Sequence, residues 1–455
     1  MNRPSRRLPE RWFWFAYERA TGRRIVAELA RLEREQYLPA PELEALQMER
    51  LQALLAHVAA HVPYYRDLFR QIGLAPGDIR TLQDFAQLPV LERETVRLQG
   101  DRMLADGLRR ASLESTETSG TTGMPITVYH DPPATNAGVA RYWRAMRAWG
   151  YRPGDRMLRI VAPSESARWK VSLRDWVQKT LMRDWRWYVQ RGGREELSRL
   201  ANALRRWQPK FFRSFLAILN LLAAYLRHRG ERLHVPRVVS GAQLMMDEER
   251  RALLDSVGDE VFDYYSSDEA LGIAFECEAH EGLHVNSESL VLEAVVQGRA
   301  AQPGELGEVF VTVLTNQAMP LIRYRLGDTA TPVGKPCPCG RTLPRIRMTH
   351  GRVLDIISAP GGRFVTPGVF FRVFQAVGEF KVAQFQVVQE TLDRLRLRVV
   401  RGPDYSTATE AALSTAIRRE MGDDVVLDFE YVEDIPLGPC GKLRVTQSRV
   451  PVRFE

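Results

Sequence analysis

Cysteine is scarce: Cys277, Cys337, Cys339 and Cys440 are all that 455 residues contain. So few exclude a disulfide scaffold, and a reducing cytoplasm is the expected compartment. Long apolar runs are also missing. A bilayer span needs ~20 consecutive apolar residues. The best stretch, Phe211 to Leu226, is interrupted by Arg213 and Asn220 and reads as a buried helix. The arginine-rich N-terminus lacks the apolar core of a secretory signal. No basic run is dense enough, or suitably interleaved with aromatics, to form a nucleic-acid groove. Repeats and low-complexity tracts are absent. The net charge of +8 suits a phosphate-bearing partner, whether nucleic acid, ATP or coenzyme A, but an arginine-rich composition without functional meaning is the reading favoured.

What remains is the composition of a soluble globular protein, 45% apolar and 26% charged, in a chain long enough for two or three packed units. Residues 1 to about 73 read as helical. Pro41–Ala60 repeats apolar residues at helical spacing, and Pro63 marks a break. Trp12, Phe13, Trp14 and Phe15 read as part of a helix packed on the body. Beyond residue 75 strands and helices alternate, which argues for an α/β body. Asp155–Ala162, Val235–Ser240 and Glu260–Tyr265 read as strands. Glu195–Arg206 and Phe211–Arg229 read as helices. "LVLEAVV", "GEVFVTVLT" and "PLIRYRLGD" have the β-branched alternation of strands. The last hundred residues read as strand, turn, strand, helix, strand: a small α+β domain. The expected division is 1–351 for the body and 352–455 for the second domain.

The strongest local motif is "TETSGTTGMPITVYHD", Thr116 to Asp131. Gly120 and Gly123 let the backbone turn tightly, and Ser119, Thr121 and Thr122 add hydroxyls, so the loop can grip a polyphosphate. It lacks the G-K-[ST] ending of a Walker loop. Cys277, with His280 and His284 after it, and Cys337 and Cys339 in "CPCGR" supply thiolate and imidazole ligands for a closed zinc site. Cys277, His284, Cys337 and Cys339 are the preferred set, with His280 the alternative imidazole. Buried free cysteine is the other reading of these residues.

"TSGTTG" with a proline two residues on resembles the phosphate loop of adenylate-forming enzymes. Met124 stands where a lysine is common. "YSSDE", Tyr265 to Glu269, resembles the family's Y-G-S-x-E segment, with Ser266 in place of glycine. There the tyrosine stacks near adenine and the glutamate helps hold magnesium, a task suited to carboxylate oxygen. "SGAQ" resembles the segment lining the adenine pocket through Gly241, with Gln243 in place of an acidic residue. "LIRYRLGD" resembles the segment whose aspartate, here Asp328, binds both ribose hydroxyls. "GRVLD" resembles the inter-domain hinge, giving Arg352 a ribose contact and Asp355 the hinge role. "GPCGKLRVTQ" places Lys442 where the family has a lysine that enters the site during adenylation. "AHVPYYRDLF" and "FECEAHEGLHVNSE" are similar to the phenylacetate–CoA ligase group, including its capsular-polysaccharide branch. Some members of the group share the cysteine–histidine pattern.

The resemblance implies a large N-terminal α/β body with a small C-terminal α+β lid. It implies ATP with magnesium gripped by Ser119, Gly120, Thr121, Thr122 and Gly123, with Gly241, Tyr265, Asp328 and Arg352 around the adenosine. Glu269 and Lys442 take the catalytic roles. A small-molecule carboxylic acid becomes an acyl-adenylate and passes to a thiol, with coenzyme A the usual acceptor. An amine or a carrier protein is the alternative acceptor, and a non-catalytic nucleotide-binding protein the reading of another class. A homodimer is among the assemblies open to it. Tyr142, Trp143 and Tyr264 are candidates for an aromatic acid pocket, with packing the reading favoured.

Overall fold

The structure, a computed structural model, describes residues 10–118, 126–161, 179–180, 183–188, 194–241, 243–348, 357–360, 364–365, 369–370, 373–374, 377, 381–436 and 445–450. The chain opens with four helices, α1 (Glu10–Thr21), α2 (Val26–Glu35), α3 (Ala40–His61) and α4 (Pro63–Ile72). Proline begins α4, where its missing N–H costs nothing. Gly73 ends that helix in the left-handed conformation at φ 68°. Two short helices follow, α5 (Leu82–Phe85) and α6 (Arg93–Gln99). The aromatic cluster near the start divides by face. Phe13 and Trp14 are buried and meet Trp143 edge-on, while Trp12 and Phe15 are more than half exposed.

The hairpin β1 (Glu114–Thr118) and β2 (Ile126–His130) flanks the phosphate-loop sequence. Asp131 then caps helix α7 (Pro132–Ala148), accepting from the Ala134 N–H at 2.7 Å. A mixed sheet of twelve strands forms the centre of the body. Its parallel part runs in the order β4 (Asp184–Tyr188), β3 (Met157–Val161), β5 (Phe211–Phe215), β6 (Arg237–Gly241), β7 (Val261–Tyr265). Helices α8 (Arg194–Trp207), α9 (Leu216–His228) and α10 (Asp247–Ser256) make the connections. The sheet continues antiparallel through β8 (Ala274–Glu276), β9 (Leu283–Val285), β10 (Leu290–Val296), β11 (Arg299–Ala300), β12 (Gly307–Val313), β13 (Tyr324–Val333) and β14 (Arg345–Arg347).

Two sequence expectations are corrected. The single helix over Phe211–Arg229 is a strand followed by a helix. Phe211 and Phe212 are fully buried in different apolar clusters, one on each face of the sheet. That period of two belongs to a strand, and helical spacing starts only at Leu216. The strand expected across "PLIRYRLGD" begins at Tyr324. Arg323 stands at φ 49°, which no strand residue adopts, and its guanidinium is held by Glu293 at 3.0 Å and by the Ala86 carbonyl at 2.5 Å.

After the body, β15 (Ile357–Ser358) and β16 (Phe364–Val365) form a small ribbon. A separate four-stranded sheet follows, in the order β19 (Val426–Tyr431), β18 (Arg394–Arg401), β17 (Val382–Thr391), β20 (Thr446–Ser448). Helix α11 (Thr407–Met421) buries Leu413, Ile417 and Met421, a four-residue spacing along one face, against Val387, Leu395 and Leu397. This cluster holds only residues from Ile357 onward. The expected boundary at residues 351 and 352 lies outside the described residues.

Candidate active site and metal centre

Parallel α/β sheets bind ligands at the carboxyl ends of their strands, because loops and helix N-termini converge there. Here those ends carry Phe215, Gly241 and Tyr265. Gly241 pairs with Phe215 on one side and Tyr264 on the other. Among the described residues, a Cβ at Gly241 would meet nothing closer than the Tyr264 carbonyl at 3.5 Å, so none of them crowds this strand end.

The segment after β7 is held by its own polar side chains. The Ser266 hydroxyl accepts from the Gly272 N–H at 3.0 Å, and the Ser267 hydroxyl accepts from the Ala270 N–H at 3.0 Å. Serine in place of glycine at 266 therefore closes the loop. Gly272 sits at φ 68°, and a Cβ there would lie 2.8 Å from the Tyr264 hydroxyl, so only glycine fits. Arg141, on α7, donates through Nε and Nη2 to the Leu271 carbonyl at 2.9 and 2.7 Å. Gly138 lets α7 approach, since a Cβ there would touch Leu271 at 2.8 Å. The Asn286 amide donates to the Gly272 carbonyl at 2.7 Å. Behind it lies a buried ion pair, Arg144 to Glu288 at 2.7 Å, with the Arg144 guanidinium 5.4 Å above the Phe275 ring.

This frame brings two distant motifs together. The Tyr265 hydroxyl donates to Asp328 Oδ2 at 2.6 Å. Glu269 faces Arg93 Nη1 at 3.5 Å and accepts from the Tyr324 hydroxyl at 3.3 Å. Burial, and then the nearby Glu269 charge, raises the Tyr324 pKa far above the ordinary tyrosine value, so the phenol stays a proton donor. Gln243 is committed elsewhere. Its amide oxygen accepts from the Ala217 N–H at 2.9 Å, in the first turn of α9. Ser119, Gly120, Thr121, Thr122, Gly123, Met124, Arg352, Asp355 and Lys442 lie outside the described residues. Cys440 does too.

Sequence reasoning missed Arg93, Tyr324, Arg141 and Asn286. Arg93 lies 176 residues before Glu269, and no motif marks it.

The cysteines form a second centre. The ligand atoms of Cys277, His284, Cys337 and Cys339 all lie within 4.8 Å of one another. Cys277 Sγ is 3.5 Å from Cys337 Sγ, and Cys339 Sγ is 3.3 Å from His284 Nε2. Tight turns present the sulfurs: the His280 N–H donates to the Cys277 carbonyl and the Gly340 N–H to the Cys337 carbonyl, each at 3.1 Å. Gly340 takes φ 81° to do so. Burial pushes the His284 pKa down to about 4, which keeps the imidazole neutral. Its Nδ1 lies 3.2 Å from the Leu343 carbonyl, which directs the Nε2 lone pair at the sulfurs. Burial also raises the Cys277 thiol far above its usual range in the absence of a cation. His280 is excluded from the cluster, because its ring stacks on Phe262 at 5.0 Å and Nδ1 lies 3.2 Å from Glu276.

Three comparisons with known proteins each find similar proteins. Residues 357–449 match the family described as the CapK C-terminal domain. The chain is 28% identical over 407 residues to a phenylacetate-coenzyme A ligase of Thermus thermophilus, covering 87% of each. It is 21% identical over 418 residues to protein CapK of Staphylococcus aureus, covering 90% of each. Among solved structures, 2-hydroxyisobutyryl-CoA ligase in its postadenylation state superposes with a TM-score of 0.71 at 20% identity over 91% of both chains. No helix among the described residues is long and apolar enough to cross a membrane.

Proposed function

We propose that this chain, which is similar to phenylacetate–coenzyme A ligases along most of its length, is an adenylate-forming enzyme of that kind: it activates a carboxylic acid with ATP and passes the acyl group to a thiol, coenzyme A. The observation that carries the reading is the Tyr265–Asp328 hydrogen bond beside Glu269. It joins two segments at one open strand end, as a nucleotide site requires.

In the first half-reaction a carboxylate oxygen attacks the α-phosphorus, and the bond to the pyrophosphate oxygen breaks. Most of the catalysis is positioning and charge stabilisation. The Asp328 carboxylate can accept both hydroxyls of the ribose cis-diol. Tyr265 orients that carboxylate and offers its ring to adenine. The Ser119–Gly123 loop is the phosphate grip in this reading, and Arg352 the second ribose contact. Glu269 suits magnesium, which takes one or two carboxylates and completes its shell with phosphate oxygens. Arg93 and the Tyr324 hydroxyl hold the Glu269 carboxylate in place, where it would serve as the magnesium ligand. Lys442, carried by the C-terminal domain, neutralises charge between the carboxylate and the α-phosphate. In the second half-reaction the thiol gives up its proton to solvent and its sulfur attacks the acyl carbon, AMP leaves with the electrons of the broken C–O bond, and Asp355 serves as the hinge for exposing the thioester face. We place the division between body and lid at residues 351 and 352.

The three thiols and one imidazole fit zinc. They supply four ligands in a closed cluster, with an imidazole oriented from behind. The centre ties the segment after β8 to the loop before β14 and takes no part in the chemistry. Thiolate ligands of this kind suit a reducing cytoplasm. Exchange of labelled pyrophosphate into ATP across a panel of aryl, fatty and amino acids tests the activity. Following thioester formation with coenzyme A tests the acceptor.

A further inference from the structure

On the face of the sheet that packs against α7, two adjacent parallel strands carry arginines side by side at their middle residues. Arg159 on β3 and Arg213 on β5 are paired in the ladder. Arg159 has an anionic partner, Asp184 on β4, and its Nε is buried with no hydrogen-bond partner among the described residues. Arg213 differs. Among the described residues its guanidinium makes neither an ion pair nor a hydrogen bond. It lies instead over two tyrosine rings, 4.7 Å from the Tyr142 centroid and 5.8 Å from the Tyr264 centroid. The two rings meet edge to face at 5.9 Å. Tyr264 is buried, and Arg213 is itself half-buried. Asp184 balances one of two adjacent positive charges, and a half-buried charge lacking an anion is costly.

The position matters. Tyr264 stands in register with Gly241, and among the described residues no side chain lies within 4 Å of a Cβ placed on that glycine. Arg213 is two residues before Phe215, the other neighbour of Gly241 in the ladder. The Arg213 guanidinium, flanked by two rings, therefore borders the open strand end that the proposed function gives to the reacting carboxylate and adenosine. A planar fork of five donors is built for an oxyanion.

We propose that Arg213 is a specificity residue, and that the acid this protein activates carries a second oxyanion, most simply a second carboxylate, at the end remote from the carboxyl being adenylated. The inference deepens the ligase reading and rests on it. Tyr142 and Tyr264 flank the guanidinium and bound the remote end of the acid, while the Arg159 charge on the next strand is already balanced by Asp184.

The test compares matched pairs of acids in the pyrophosphate-exchange assay: phenylacetate against homophthalate, and hexanoate against adipate, with a phosphonate analogue of adipate as the second oxyanion source. The wild-type protein should show the higher kcat/KM for the dianionic member of each pair. Hydrogen bonds to charged groups contribute roughly 1.5–3 kcal/mol. Arg213→Met should thus lower the dianion-to-monoanion ratio ~10–100-fold, and Arg213→Lys should recover part of it. The ratio is internal, so a poorly folded variant that loses both acids in proportion leaves it unchanged and counts against the inference. Wild-type exchange with monoanionic acids alone would overturn the inference and leave the ligase reading standing. No exchange with any acid would remove both.

Discussion

Tyr265 and Asp328 lie 63 residues apart in sequence and 2.6 Å apart in space. The tyrosine ends the last parallel strand and the aspartate sits midway along an antiparallel one, so the bond joins the two halves of the central sheet. Replacing Asp328 by Ala should raise the KM for ATP ~10–100-fold, the usual cost of losing hydrogen bonds to a charged group. Tyr265→Phe should raise it less, since the carboxylate survives and only its orientation is lost. Steady-state kinetics with ATP varied would show this, and equal effects of the two changes would contradict the division of roles.

The proposed zinc site makes a separate prediction. Protein purified without a histidine tag should contain about one zinc per chain by elemental analysis, because four ligands close one structural site. Cys337→Ser should lower both zinc content and the thermal midpoint, since binding free energy at such a site is folding free energy. His280→Ala should leave zinc content unchanged. A zinc-free protein whose stability ignores Cys337→Ser would remove the centre.

In the proposed mechanism Lys442 serves only the first half-reaction. Losing one contact to developing charge costs ~10²–10³ in rate. Lys442→Ala should therefore block acyl-adenylate formation yet still convert supplied acyl-adenylate to thioester. Equal loss of both steps in a folded variant would mean that the C-terminal domain does not exchange positions. Normal adenylation would take the lysine out of the mechanism.

Glu249 gives a pH signature in stability. It is nearly fully buried on α10, and burial pushes its carboxyl up to about 7 despite bonds from the Met246 N–H at 2.8 Å and Asn220 at 2.6 Å. The unfolded carboxyl loses its proton near 4.5 and the folded one near 7. The contribution of this group is thus complete below 4.5 and declines as pH rises toward 7. Relative to Glu249→Gln, the wild-type protein should lose stability across that window and no further above it, as chemical denaturation at stepped pH would show. A constant difference between the two proteins would contradict the raised pKa.

The sequence made some of this legible and hid the rest for physical reasons. Alternating β-branched residues marked β10 and β12, and apolar spacing marked α3, because each pattern follows the period of its element. The Phe211 strand was hidden because a short apolar run running straight into a helix has no period of its own. "YSSDE" and "LIRYRLGD" could be recognised as motifs, but their meeting at Tyr265 and Asp328 depends on strand order. Arg93, Tyr324 and Arg141 reach the site through tertiary packing and carry no local signature. His280 and His284 are equivalent by spacing from Cys277. Only the stack of His280 on Phe262 and the His284 Nδ1–Leu343 contact separate them.

The central claim is that an acid is adenylated here, and acid-dependent pyrophosphate exchange tests it most directly. Purified protein with ATP and magnesium should move labelled pyrophosphate into ATP only when a suitable carboxylic acid is present, and Glu269→Gln should suppress that exchange. Nucleotide binding with no exchange across a broad panel of aryl, fatty, amino and dicarboxylic acids would contradict the account.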